Sequence, residues 1–353
     1  MLSVMKKNKL VIIVFLVLAA ISFWLYYSSS NNSIKGELRD FAVADTSSID
    51  KIFMADKDGR AVTLKRVAPD RWIVNDKFLA RQDGIENLLY TIKNVEVRSP
   101  VGKNLYNNTM KLMSARSVKI EIYAGDEILK TYYVGHPTMD NLGTFMYLEG
   151  SSVPFITFIP GFNGFLSSRY FASEPEWRNK SIFRYDPRRV IEVQMDDRAR
   201  PHRSFRLDRK QDTSYVITKL LDNKMVVPLD MNKVRTFLTA FQETFFERID
   251  NDISKQKRDS IITAGPFTNV LVKLDDGTTK SLTCFRKPVD AGSRQQIDSD
   301  GKDKPFDFDK FYALMSGDTS MLVCQYFHFD RMFKDPRNFL PGKDLVPTQQ
   351  RFE

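Results

Sequence analysis

The chain has 353 residues, enough for two ordinary domains. It is 42% hydrophobic and 27% charged, a balance that suits folded material and excludes general disorder. The formal charge is +9, but beyond Lys6, Lys7 and Lys9 the basic excess forms no basic helix or stripe; it allows weak attraction to anionic lipid, glycan or nucleic acid, an ordinary basic surface is the favoured reading, and no nucleic-acid partner is assigned.

The first element in the chain is an apolar run, Leu10 to Tyr27, broken only by Ser22. As a helix its 18 residues would span about 27 Å, close to a hydrocarbon core of about 30 Å. A signal-peptide core is usually shorter, about 7–15 residues. Trp24, Tyr26 and Tyr27 close the run with rings suited to the membrane interface. Lys6, Lys7 and Lys9 before it favour a cytoplasmic N-terminus. The reading is an uncleaved single-pass anchor in the inner membrane, with the body periplasmic. Cleavage near Ala20–Ser22 or Ser28–Ser30 is the competing reading, and it exports the body equally.

The body reads as one unit used twice. "SSIDKIFMADKDGRAVTLKR" from Ser47 and "RRVIEVQMDDRARPHRSFRLDR" from Arg188 each hold two alternating apolar segments around a polar turn. A third strand follows in each, "RWIVN" at Arg71 and "SYVITK" at Ser214. Ile85, Leu88, Leu89, Ile92 and Val95 then fall at helical spacing, with Asp83 as N-cap and Glu86 completing a capping box. Val234, Phe237, Leu238, Phe241 and Phe245 repeat that spacing after Asp230. "VKIEIYAGDEILKTYYVG" from Val118 matches "VLVKLDDGTTKSLTCFRK" from Val270, and both read as hairpins. The last pair is "TFMYLEGSSVPFITFI" from Thr144 and "FYALMSGDTSMLVCQYF" from Phe311. Phe308, Phe311, Tyr312 and Met315 alone would suit a helix, but Gly317 stands where Gly150 does, and the repeat makes both segments hairpins.

The expected fold is therefore α+β: an N-terminal transmembrane helix followed by two tandem repeats of mainly antiparallel sheet, with one packed helix each. The boundaries are a cytoplasmic N-terminus (1–9), transmembrane helix (10–27), tether (28–46), first repeat (47–171), linker (172–187), second repeat (188–335) and irregular tail (336–353).

The hairpins from Val118 to Phe162, the "EPEWRNKSIFRYDPRRVIEVQM" junction and the anchor-plus-repeats plan resemble the domain-of-unknown-function 4340 family. That resemblance implies a bacterial, membrane-anchored envelope protein, similar in some members to components encoded beside gliding-motility-type ABC transporters. It implies an integral-membrane partner and supplies no catalytic residue.

Chemistry-bearing motifs are sparse. His136, His202 and His328 have no helical metal-ligand spacing. His136 reads as part of a loop, His202 as an anion-binding or merely solvated turn between Arg200 and Arg203, and His328 as a structural residue at a strand end. No GxSxG is present, and Ser151 and Ser152 read as a hairpin turn. Phosphate-cradling glycine loops are absent from the sequence. Asp298, Asp300, Asp303 and Asp309 surround Gly301 without the EF-hand order, so a polar insertion is favoured over calcium. Cys284 and Cys324 lie in strands of the second repeat, where a disulfide and two buried thiols stand as equal alternatives. No catalytic residue, metal ligand, cofactor or small-molecule ligand is assigned. The favoured reading is a non-catalytic envelope accessory or scaffold protein, associated with a transporter or motility-type assembly. The alternatives are a binding module for an anionic envelope polymer, glycan or lipid, and an envelope hydrolase with its site between the repeats.

Overall fold

A computed structural model describes residues 15–24, 39–211, 214–294, 297 and 301–342. It is α+β with mostly antiparallel sheets. The first helix, α1, covers residues 15–24. Among the described residues no helix is long and apolar enough to cross a membrane. The rest of the apolar run, with Lys6, Lys7, Lys9, Tyr26 and Tyr27, lies outside the described residues.

The chain divides into two compact units, Met1–Asn179 and Lys180–Glu353. The first carries β1 (Lys51–Ala55), β2 (Ala61–Ala68), β3 (Arg71–Val74), β4 (Phe78–Leu79), α2 (Gln82–Asn94), β5 (Glu96–Pro100) and α3 (Lys103–Arg116). Then come β6 (Val118–Ala124), β7 (Glu127–Pro137), β8 (Thr144–Leu148), β9 (Phe155–Phe158) and the one-turn α4 (Glu174–Trp177). Its nine strands form one sheet in the order β4-β3-β2-β1-β6-β7-β8-β9-β5.

The second unit has β10 (Ser181–Phe183), β11 (Val190–Asp197), β12 (Phe205–Gln211), β13 (Ser214–Lys219), α5 (Met231–Leu238), β14 (Thr244–Phe245), β15 (Arg248–Ile249) and α6 (Lys255–Thr263). It closes with β16 (Thr268–Leu274), β17 (Thr279–Pro288), β18 (Phe306–Met315), β19 (Leu322–Gln325) and the one-turn α7 (Tyr326–Phe329). Its main sheet runs β13-β12-β11-β16-β17-β18-β19-β15, and β10 pairs separately with β14. Strand for strand this is the order of the first unit without β4. In place of β4 a single bridge joins Thr218 to Met225. The turn glycines Gly150 and Gly317 both adopt positive φ, +82° and +78°, where a side chain would be strained. The β8–β9 and β18–β19 segments pair as antiparallel hairpins.

Alternation explains why these segments are strands. On β16, Thr268, Val270, Val272 and Leu274 point inward and the residues between them do not. In each unit the inward face packs against one helix. Ile85, Leu88 and Ile92 of α2 enter the first core, and Val234, Phe237 and Leu238 of α5 the second.

Several expectations need correction. The N-cap of α2 is Arg81, without a side-chain cap, and Asp83 lies in the first turn, paired to Arg81 at 2.7 Å. Asp230 does cap α5, accepting from the backbone N–H of Asn232 at 3.0 Å. Phe245 is not on that helix but on β14, where it is exposed. Each unit has a second helix, α3 or α6, against the other sheet face. Met113 of α3 packs with Phe145, and Ile261 of α6 packs with Phe285, Tyr312 and Val323.

The stretch expected as a linker is built into both cores. Trp177 belongs to the first, Ile182 and Phe183 to the second. Phe41, expected in the tether, is buried with its ring 5.8 Å from Tyr132. The expected irregular tail begins with a 3-10 turn, Pro336–Phe339, that buries Phe339 against Phe237 at 5.2 Å between ring centroids.

Gly135 on β7 lies against Met113 of α3. A Cβ there would lie 2.9 Å from Met113 Cγ and 3.0 Å from the Phe145 carbonyl oxygen. The methionine can move and the backbone cannot. Gly135→Ala should therefore destabilise the first unit by about 1–3 kcal/mol. All three tryptophans lie in that unit. A lowered denaturation midpoint in tryptophan fluorescence is the expected result, and an unchanged midpoint would show that α3 packs loosely.

A cationic cleft at the end of the second sheet

Inward-facing rows of the second sheet begin apolar and end polar. Along β11 the row runs Val193, Met195, Asp197, and on β16 it runs Val272, Val270, Thr268. On β17 it runs Leu282, Cys284, Arg286. Register places Asp197 opposite Thr268 and Thr268 opposite Cys284. The core thus opens at one end into a cavity of about 30 Å³ bearing Asp197, Thr268 and Arg286.

Three other segments complete its walls. The β11–β12 connection folds back because the Asp197 side chain accepts from Arg200 N–H at 2.8 Å and Arg203 N–H donates to the Arg200 carbonyl at 2.8 Å. This turn supplies Arg200 and Arg203. Tyr326 opens α7, held by ring contact with Phe311 at 4.8 Å, and Lys334 follows from the next turn. Four cationic side chains therefore meet one carboxylate in the wall.

Burial raises the Asp197 carboxyl pKa, against the opposing effect of Arg200 and its backbone N–H. Burial likewise raises the Tyr326 hydroxyl, while Arg286 and Arg200 oppose it. Arg203 Nε is buried without a hydrogen bond and stands 3.5 Å from Asp335 Oδ2, a carboxylate that also takes Arg337 at 2.8 Å. Thr268 is 3% exposed, and its hydroxyl has no hydrogen-bond partner. A buried hydroxyl left unpaired costs about 1–3 kcal/mol. Such a cost is offset when a ligand supplies the partner.

Beside this cavity, and sharing Ala199, Phe267 and Arg286 with it, lies an open hollow of about 390 Å³. Its walls include Ile261, Pro266, Pro288 and Phe306. Arg286 sits over the Phe306 ring, 5.2 Å from its centroid. The wall also takes in Arg198, which pairs with Asp196 at 3.5 Å.

Arg200 and Arg203 reach the cleft, whereas His202 between them is exposed on the 3-10 turn Pro201–Arg203. His136 lies on β7, not in a loop. Its ring is 4.7 Å from Phe145, and burial lowers its pKa. His328 is exposed on α7, not at a strand end. Ser151 is buried in the β8–β9 turn and donates to the Val153 carbonyl at 3.1 Å.

Cys284 and Cys324 are free, buried thiols whose pKa values are pushed up by burial. Strand β18 lies between theirs, so about 10 Å separates the backbones, beyond the roughly 7 Å a disulfide allows. The two-thiol alternative therefore holds. Asp298 and Asp300 lie outside the described residues. Among the described residues no three His, Cys, Asp or Glu side chains group as metal ligands.

Nothing local in the sequence marks Thr268, Arg286, Tyr326 or Lys334 as partners, because they come from segments far apart in the chain. Fold and cleft together define a duplicated α+β protein with a cleft lined by cationic side chains in its second unit. Comparison with protein-family models, with curated proteins and with solved structures finds no match for this chain.

Proposed function

We propose that this chain is a non-catalytic, membrane-anchored envelope protein that works by binding an anionic envelope polymer through its second unit. The cationic cleft carries this reading: Arg200, Arg203, Arg286 and Lys334 converge on a cavity that also holds an unpaired buried hydroxyl. Guanidinium groups suit carboxylate and phosphate oxygens because their N–H donors form a planar fork. Scaffolding follows from tethering, since an anchor raises the local concentration of the binding face at the membrane.

The anchor itself is the run Leu10–Tyr27. Its described part, α1, supports this role: Phe15, Leu16, Phe23 and Trp24 are each at least 60% exposed, an apolar surface that lipid would cover. An integral-membrane subunit is the protein partner the family resemblance implies. Extraction in mild detergent should recover it together with a chain that still begins before Lys6.

The same detergent-solubilised protein tests the binding reading. It should be retained on an acidic polysaccharide and pass through a neutral one. Retention should weaken as salt rises from about 0.1 M to about 1 M, where the screening length falls from about 10 Å to about 3 Å. Arg203→Ala combined with Arg286→Ala should cost at least about tenfold in affinity, as expected for lost charge-assisted hydrogen bonds. Equal retention on the neutral polymer, or indifference to both salt and the double substitution, would sink the reading.

A further inference from the structure

We infer that the cleft recognises a carboxylated sugar residue, with the carboxylate in the inner cavity and the pyranose ring in the adjoining hollow. This rests on the anionic-polymer reading and narrows it. About 30 Å³ of free space is room for about two water-sized atoms. That is room for the two oxygens of a carboxylate entering from the hollow. Thr268 supplies the neutral contact: its unpaired hydroxyl donates to one carboxylate oxygen, while the charges of Arg200, Arg203, Arg286 and Lys334 outnumber the Asp197 carboxylate in the same wall.

The hollow of about 390 Å³ lies within the usual range of ligand clefts, about 300–1,000 Å³. Its Pro266, Pro288 and Phe306 surfaces present the apolar wall that the C–H face of a sugar ring packs against. Phe306 is 39% exposed, so part of its surface is open to solvent. Arg286 lines both spaces and stands over one face of Phe306, so its charge adjoins both the inner cavity and the apolar wall.

The experiment is calorimetric titration of the full chain in detergent with a uronic acid oligomer, the same oligomer as its methyl ester, and inorganic phosphate. The acid form is expected to bind, with the ester and phosphate each at least about tenfold weaker, the value of about one hydrogen bond to a charged group. Thr268→Val should lower affinity for the acid about tenfold and leave the unfolding midpoint unchanged or raised. Phe306→Ala should weaken the oligomer and leave binding of free acetate as it was. Equal binding of ester and acid, phosphate binding as tight as the uronate, or a Thr268→Val protein of undiminished affinity would each overturn the inference. If salt-sensitive retention on acidic polymer persists through any of those results, the general reading stands and only its carboxylated-sugar form fails. Loss of retention as well would remove both.

Discussion

Lys287→Met should destabilise the second unit by about 3–5 kcal/mol, the usual consequence of removing one partner from a buried ion pair. Lys287 is 2% exposed and Asp307 is 3% exposed. The ammonium lies 2.6 Å from Asp290 Oδ2 and 3.3 Å from Asp307 Oδ2. Ser293 donates to the same Asp307 oxygen at 2.9 Å, while Asp307 Oδ1 accepts backbone N–H groups from Asp309 and Lys310 at 2.9 and 3.1 Å. Methionine fills the space of the lysine stem and leaves a buried carboxylate without its cation.

The network joins the end of β17 to the start of β18, so the loss is felt by two central strands. Burial alone would raise the Asp290 pKa, but the Lys287 hydrogen bond and charge outweigh it and hold the carboxyl low. A depressed carboxyl contributes stability above its ordinary value of 3.8 and loses it as pH falls through the folded value. The wild type should therefore weaken more steeply in acid than Lys287→Met.

Two built-in probes separate the units. Tryptophan emission reports the first, since Trp72 and Trp177 are buried in its core, and reactivity of Cys284 and Cys324 reports the second. The substitution should bring thiol labelling to lower denaturant and leave the tryptophan transition in place. An unchanged labelling midpoint would mean that water already reaches the pair.

Phe311→Ala should cost about 3–5 kcal/mol in the same unit, the range for truncating a buried aromatic side chain. The ring is fully buried and meets Tyr326, Phe329, Phe333 and Phe267 at centroid distances from 4.8 to 5.8 Å. No single neighbour can collapse into the space without abandoning another contact. Tyr326, Phe333 and Phe267 also border the cleft. The variant should therefore lose affinity for anionic polymer even at temperatures where it stays folded. Phe311→Leu, which keeps most of the volume, should recover much of the stability. A Phe311→Ala protein as stable as wild type would show that the cluster is already loosely packed.

The duplication was legible because hairpins are local. Period-two alternation and a turn residue within a few positions specify both strands, so Gly150 and Gly317 could settle the β18–β19 segment against its helix-like spacing. The first packed helix of each unit was legible for a similar reason, since Ile85, Leu88 and Ile92, or Val234, Phe237 and Leu238, make a full apolar stripe. Helices α3 and α6 carry no such stripe. Only Thr109 and Met113 of α3, and only Ile261 of α6, are buried. Their sequences look like polar loops, and they are helices that touch the sheet by one or two side chains. Strand β15 spans only two residues, Arg248 and Ile249, too few for any alternation to show.

By itself the sequence determined a duplicated α+β chain, because composition and short-range periodicity are properties of neighbouring residues. Tertiary structure alone decided that the supposed linker belongs to two cores, that Cys284 and Cys324 stand on strands too far apart to bond, and that a cleft exists. Arg200 and Arg203 drew notice as a basic turn. The alternation on β11, β16 and β17 carried the rest of the signal, since Asp197, Thr268 and Arg286 continue inward-facing apolar rows. That continuation acquires meaning only when antiparallel pairing sets three distant strands side by side and their polar ends meet at one opening.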